Sequence, residues 1–260
     1  MIPIQVEGRP LAGGRLPAVC APLVGRTRAA LATEAAAVAA KRPDLLEWRV
    51  DFFGPIADTR EVLAAAADLR AASGGIPILF TRRCQREGGQ PIALAEPQVL
   101  ALYEAVAASG CVDLLDFEMG NDAADVAQVR ALAHRRGLPL VLSFHDFQRT
   151  PPDADLRARF AQARQLGADI AKVAVMPQSV EDVHRLLGAT LQASRSLGIP
   201  VISMAMGGLG AVTRLCGGVF GSALTFAVGA AASAPGQIAI EEVRAALAVL
   251  QGAMQGPTSG

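Results

Sequence analysis

The sequence predicts a single (β/α)8 barrel, and three observations carry that expectation. Short runs rich in Val, Ile and Leu alternate along the chain with longer Ala-rich stretches of helical period, and such alternation implies parallel strand pairing. Eight units can be counted, the number that closes into a barrel, and 260 residues is an ordinary length for one. The competing architecture, an open doubly wound sheet, usually announces itself by a glycine-rich turn after its first strand. Here that strand runs into LVGRTR, with Gly25 alone.

In chain order, strands are expected to start near Pro17 (PAVCAPLV), Asp44 (DLLEWRV), Ile76 (IPILFTR), Val112 (VDLLDFEM), Leu138 (LPLVLSFH), Asp169 (DIAKVAV), Ile199 (IPVISMA) and Phe220 (FGSALTF). The helices expected between them run from Arg28 to Ala40, Asp58 to Ala72, Ala95 to Ala108, Ala123 to Arg136, Asp153 to Gln165 and Val180 to Leu197. A shorter piece around Leu209 to Cys216 and a last helix from Ile240 to Leu250 complete the set. They begin after Thr, Asp, Ser or Pro and several end at Gly, as capping chemistry requires. No linker or low-complexity stretch divides the chain. One domain is therefore expected over 1–260, with the barrel core at about 17–252 and a disordered tail over 253–260.

Composition narrows the classes of function. Hydrophobic residues make up 52% and aromatics only 4%, so Ala, Val, Leu and Ile should fill the interior, and a stacking platform for nucleic acid is disfavoured. The 24 basic residues balance the 24 acidic ones, and no segment gathers them into a phosphate-binding stripe. The start, MIPIQVEGRPLAGG, lacks the pattern of a signal peptide, and the apolar stretch from Ala223 to Ala232 is too short to span a bilayer. The expectation is a soluble protein kept inside the cell, with neither nucleic acid nor membrane as partner. Cys20, Cys84, Cys111 and Cys216 lie far apart, which fits reduced thiols better than disulfides or structural zinc. Cys84, inside a polar run, is either a reactive thiol or an unremarkable one.

Barrel chemistry gathers at the C-terminal ends of strands, so polar residues there matter most. Lys172 interrupts the apolar run DIAKVAV. A desolvated lysine loses its proton more readily, and the free amine attacks a ketone or aldehyde; alternatively this lysine stretches to the barrel mouth as an ion-pair partner. His145 closes the preceding strand in SFHDF and is the natural general acid and base, or else a structural histidine. His134 and His184 lie among charged helical neighbours and read as solvated. Glu47 and Arg49 share one face of their strand by period two, and Arg83 and Glu87 follow the third strand. Carboxylates beside guanidiniums suit a small polyhydroxylated acid, or form ion pairs that plug the mouth. Glu47, Asp116, Glu118, His145 and Asp146 carry metal-ligand atoms, but no H-x-H or H-E-x-x-H spacing supports a metal site. Arg214 lies beyond the seventh strand, and Ser233 and Gln237 lie in ASAPGQI beyond the eighth, where a turn either caps a ligand or is a plain surface loop.

Taken together, these segments resemble the type I 3-dehydroquinate dehydratase family of the shikimate pathway. The likeness runs from about Ala18 to Leu250 through VCAPLVG, DLLEWRVDFF, ILFTRRCQREGG, DLLDFEM, SFHDFQRTP, GADIAKVAVMP, SMAMGGLGAVTR, VFGSALTF and ASAPGQI. It implies a cytoplasmic homodimeric (β/α)8 lyase that converts 3-dehydroquinate to 3-dehydroshikimate without metal or other cofactor. It further implies Lys172 as the Schiff-base lysine, His145 as the acid/base, and Glu87 as the support of that histidine. Substrate binding falls on Glu47, Arg49, Arg83, Arg214, Ser233 and Gln237, with Met204 and Phe226 lining the pocket. The chain departs from the family pattern at GGLGA before Arg214, at Gly218 and at Phe144. Two other readings remain: a lysine-dependent aldolase or transaldolase for a sugar phosphate, with GGLG as the phosphate turn, and a barrel that binds a shikimate-type acid without turnover.

Overall fold

The computed structural model describes residues 1–14, 16–230 and 235–255, the last without its side chain. The eight expected strands form at Ala18–Leu23 (β1), Leu45–Arg49 (β2), Ile78–Thr81 (β3), Leu114–Glu118 (β4), Leu140–Asp146 (β5), Ile170–Val175 (β6), Val201–Ala205 (β7) and Leu224–Val228 (β8). Between and after them come Arg28–Ala39 (α1), Thr59–Ala72 (α2), Glu96–Ala108 (α3), Ala123–Arg136 (α4), Asp153–Gln165 (α5), Val180–Ser196 (α6), Gly207–Cys216 (α7) and Ile240–Gln255 (α8). Side-chain caps start several of them: Thr27 Oγ1 accepts from Ala30 N–H, and Asp58 and Asp122 accept from the amides two residues on.

The strands are parallel and pair in sequence order from β1 to β7, with β8 beside β1. The curl closes just upstream of β8, where Val201 bridges Ser222 and Ala223 N–H donates to Val201 O at 2.7 Å. This is a single-domain (β/α)8 barrel, as expected. No helix of the described residues is long and apolar enough to cross a membrane.

Strand alternation splits the core in two. Outward residues such as Val19, Leu46, Trp48, Phe80, Phe117, Leu142 and Val173 pack against the helices. Inward residues Cys20, Leu45, Leu79, Leu114, Val141, Ile170, Ile202 and Leu224 fill the barrel, which is packed rather than open. Its N-terminal end is plugged by an antiparallel hairpin, Gln5–Val6 with Arg9–Pro10, whose Ile4 and Val6 join Leu11 against the inward layer. A recurrent device fixes register at that end. Asp44, Asp113 and Asp169 each donate their backbone N–H to the previous strand, and each carboxylate accepts an N–H from the same residue there: Val19 at 2.8 Å, Ile78 at 2.7 Å and Leu140 at 2.9 Å.

Three details differ from the sequence reading. The hairpin lies before the first expected element. Helix α8 continues through Gln255, so residues 253–255, assigned to the tail, are helical; the remainder of that stretch lies outside the described residues. Cys84 is buried and its thiol is pushed up, chiefly by burial and next by Glu118, so the reactive alternative loses its support. His134 and His184 are exposed on α4 and α6.

Candidate active site

Above the apolar barrel floor, the inward positions turn polar. Parallel register sets Thr81 beside Asp116, Glu118 beside Ser143, and Ser143 beside Lys172, so the ends of β3, β4, β5 and β6 present one continuous polar layer. Lys172 is 3% exposed. Its Nζ donates to Asp116 Oδ2 at 2.9 Å, lies 3.5 Å from Glu47 Oε1, and sits 4.7 Å from the centre of the Phe226 ring. Burial alone would raise the Asp116 carboxyl, but Arg83 and Lys172 outweigh it and hold the group at about 2.

His145, near the end of β5, meets Glu87 from the segment after β3. A single Glu87 oxygen, Oε2, accepts the His145 backbone N–H at 2.9 Å and lies 2.9 Å from Nδ1. The carboxylate accepts, so we assign the ring proton to Nδ1, which leaves Nε2 with its lone pair. Burial, then Arg83, Lys172 and Arg49, lower the imidazole well below its ordinary range, and the neutral ring is the resting form. Burial raises Glu87 to about 7 against the pull of Arg83. The turn that delivers Glu87 ends at Gly88 with φ +82°, where a Cβ would stand 2.3 Å from the Phe147 ring; that ring in turn stacks on His145.

Three guanidiniums surround this pair, and they differ in what they hold. Arg49 is clamped by both oxygens of Asp51, at 2.8 Å each. Arg83 fans out to Asp116 at 2.7 Å, Ser143 at 2.8 Å and Glu118 at 3.0 Å. Arg214, from α7, is 1% exposed and touches no carboxylate among the described residues. It donates to the carbonyls of Phe226 and Pro235, both at 3.2 Å, and its Nε has no partner. Burial lowers it to about 10. A desolvated guanidinium with a spare donor on a pocket wall has the chemistry to hold an anion.

The pocket at this mouth is lined by Glu47, Arg49, Arg83, Glu87, His145, Lys172, Met204, Arg214, Phe226 and Gln237. The structure thus brings together ten of the eleven site residues named from the sequence; Ser233 lies outside the described residues. Among the described residues no cluster of three or more His, Cys, Asp and Glu side chains is placed to hold a metal ion. Sequence reasoning entertained Asp116 and Glu118 only as metal ligands and passed over Asp51, Ser143 and Phe147. The signal for the first two was available: in LLDFE two acids sit at period two inside an apolar strand, the same anomaly that singled out Lys172.

Fold and pocket define a class: a (β/α)8 barrel whose mouth gathers a buried amine, a carboxylate-oriented imidazole and a guanidinium with no carboxylate partner among the described residues. Comparison with known proteins makes it specific. Residues 19–254 match the type I 3-dehydroquinase family, and the chain belongs to that family. It is 56% identical over 252 residues to the 3-dehydroquinate dehydratase of Albidiferax ferrireducens, covering 97% of this chain and 96% of that one. The crystal structure of 3-dehydroquinate dehydratase from Geobacillus kaustophilus superposes with a TM-score of 0.92 at 52% identity, over 96% of each chain. That of the type I enzyme from Clostridium difficile, which carries a covalent modified comenic acid, does so with 0.91 at 36% identity, over 96% of this chain and 98% of that one.

Proposed function

We propose that this chain eliminates water from 3-dehydroquinate to give 3-dehydroshikimate, through an imine between Lys172 and the ring ketone. The observation that carries the reading is the company of Nζ: a buried amine on the pocket floor, beside an imidazole already held in its neutral, base-ready form. Once Lys172 condenses with the ketone, the iminium withdraws electrons and acidifies the neighbouring carbon. His145 removes that proton through Nε2, and the electron pair moves into the nitrogen to give an enamine. The enamine then expels the β-hydroxyl, to which the imidazolium returns the proton, and water leaves. Hydrolysis of the product imine frees Lys172.

Glu87 orients His145 and carries the counter-charge when the ring becomes cationic, as the buried acid does in other catalytic triads. Arg214 takes the substrate carboxylate, the anion its spare donors call for. Glu47, Arg49 and Arg83 meet the ring hydroxyls, Met204 and Phe226 form the apolar walls, and Gln237 and Ser233 cover the bound acid. The sugar-phosphate reading loses its anchor, because GGLG is wound into the first turn of α7 and the Gly207 amide already donates to Pro235 O at 3.2 Å. The family likeness also supports a cytoplasmic location and a homodimer, the second of which light scattering on the purified chain tests.

Borohydride added during turnover of 3-dehydroquinate should leave one reduced adduct, located by peptide mass spectrometry on Lys172 and absent from Lys172→Ala. Full dehydratase activity in Lys172→Ala, or an adduct elsewhere, defeats the assignment.

A further inference from the structure

We propose that Asp116 is the counter-ion of the Schiff base: it holds the positive charge at Lys172 Nζ from the free ammonium to the substrate adduct. The inference rests on the reading of Lys172 as the imine-forming residue, and adds a group that this reading does not require.

The geometry is specific. Asp116 is fully buried and donor groups fix both its oxygens: Oδ2 receives Nζ at 2.9 Å, while Oδ1 receives Arg83 Nη2 and Ser143 Oγ, both at 2.7 Å. The carboxylate therefore stays beside Nζ. It does not line the pocket, whereas Glu47, the other acid near Nζ, does. Glu47 looks toward the substrate; Asp116 stands behind the nitrogen.

Charge conservation says what such a group does. Lys172 attacks as the amine, after the ammonium lends one proton to neutral His145; the new C=N bond replaces the ketone C=O, and the lent proton is returned to the departing oxygen. Two of the three Nζ protons leave with the carbonyl oxygen as water, and one stays on the iminium. There is one positive charge before and one after. A fixed anion at this spot stabilises both, and it keeps the imine nitrogen protonated, the form in which it withdraws electrons. The remaining charged neighbours fit this division. Arg83 and Glu118 offset each other at 3.0 Å, the inward Cys20 thiol of β1 is raised well above its ordinary value by burial and then by Glu47, and neutral His145 faces the pocket. Held at about 2, Asp116 is too weak a base to take the lysine proton, which leaves the electrostatic role.

Two reductants separate the protonated from the neutral imine. Borohydride reduces both, whereas cyanoborohydride reduces the iminium. In the wild type, the ratio of cyanoborohydride to borohydride trapping at Lys172 should stay flat well into alkaline pH. In Asp116→Asn the borohydride adduct should still form, but the cyanoborohydride limb should move down by roughly 1–3 pH units, the usual effect of losing an adjacent opposite charge. The basic limb of kcat should move with it, and Asp116→Glu should restore both. An unshifted limb in Asp116→Asn overturns the proposal, as does a shift in Glu47→Gln with none in Asp116→Asn. Should Asp116→Asn fail to fold, the wild-type ratio decides, because its decline near neutral pH overturns the proposal equally. A wild type without any borohydride adduct at Lys172 instead removes the Schiff-base reading, and the counter-ion with it.

Discussion

Glu87 links stability and catalysis in opposite senses. Its carboxyl is moved from an ordinary 4.5 to about 7, so it binds a proton more tightly folded than unfolded. For a group raised on folding, the stability it contributes is fully present below the unfolded value and lost as pH rises through the folded one. The window is therefore about 4.5 to 7, and the shift amounts to on the order of 3 kcal/mol. The ionised form, however, is the one that supports the His145 imidazolium. Activity should rise with pH through a limb near 7 while stability falls. Glu87→Gln should remove the limb from the pH profile of kcat/KM and raise the melting temperature relative to wild type above that window, with the two converging in acid. An unchanged limb in that variant would assign it to another group. Glu87 is legible in REGG as a carboxylate after the third strand, but its role beside His145 only through a family likeness, whereas Lys172 stands out on its own, because it puts a charge among apolar neighbours. Asp116 shows the limit. Its partner Lys172 lies 56 positions away, and only the sheet register reveals that the acid faces an amine rather than a metal.

Helix α7 packs on β7 through a close backbone contact. It starts directly after β7, and a Cβ at Gly210 would lie 2.3 Å from the carbonyl carbon and oxygen of Ala205, so helix and strand touch main chain to main chain. That closeness sinks Arg214 to 1% exposure on the pocket wall. Gly208, two residues earlier, has open space around its Cβ position and an unstrained backbone. Gly210→Ala should cost about 1–3 kcal/mol through overpacking and raise KM by displacing Arg214. Gly208→Ala should leave KM unchanged and stabilise by up to about 1 kcal/mol, since alanine suits a helix better. Equal thermal shifts in the two variants would contradict the packing argument. Elements with a long apolar period were legible to within a few residues; the N-terminal hairpin was not, because strands of two residues, Gln5–Val6 and Arg9–Pro10, are too short to show alternation.

At the scale of the whole barrel, the two ends divide the work. Polar side chains gather at the C-terminal mouth, while the N-terminal end carries the hairpin plug and three aspartates that pin β1 to β2, β3 to β4 and β5 to β6. Each aspartate directly precedes or opens an apolar strand in DLLEW, DLLDF and DIAK, so the triplet is visible in the sequence; its meaning is not, because the paired N–H belongs to the preceding strand. A carboxylate accepting a backbone N–H contributes about 1.5–3 kcal/mol, so Asp113→Ala and Asp169→Ala should each destabilise by that amount. The Arg70 ion pair of Asp113 adds little, being partly exposed. Neighbouring pins are two strands apart, roughly 10 Å, far enough for independent effects. The double variant should therefore lose the sum to within about 0.5 kcal/mol by denaturant unfolding, and both singles should keep wild-type kcat. A fall in kcat that parallels the loss of stability would mean that strand register at the bottom sets the geometry around Lys172. Preserved turnover in a weakened barrel would mean that the polar layer at the mouth holds itself in place, through the Arg83 fan that joins β3, β4 and β5.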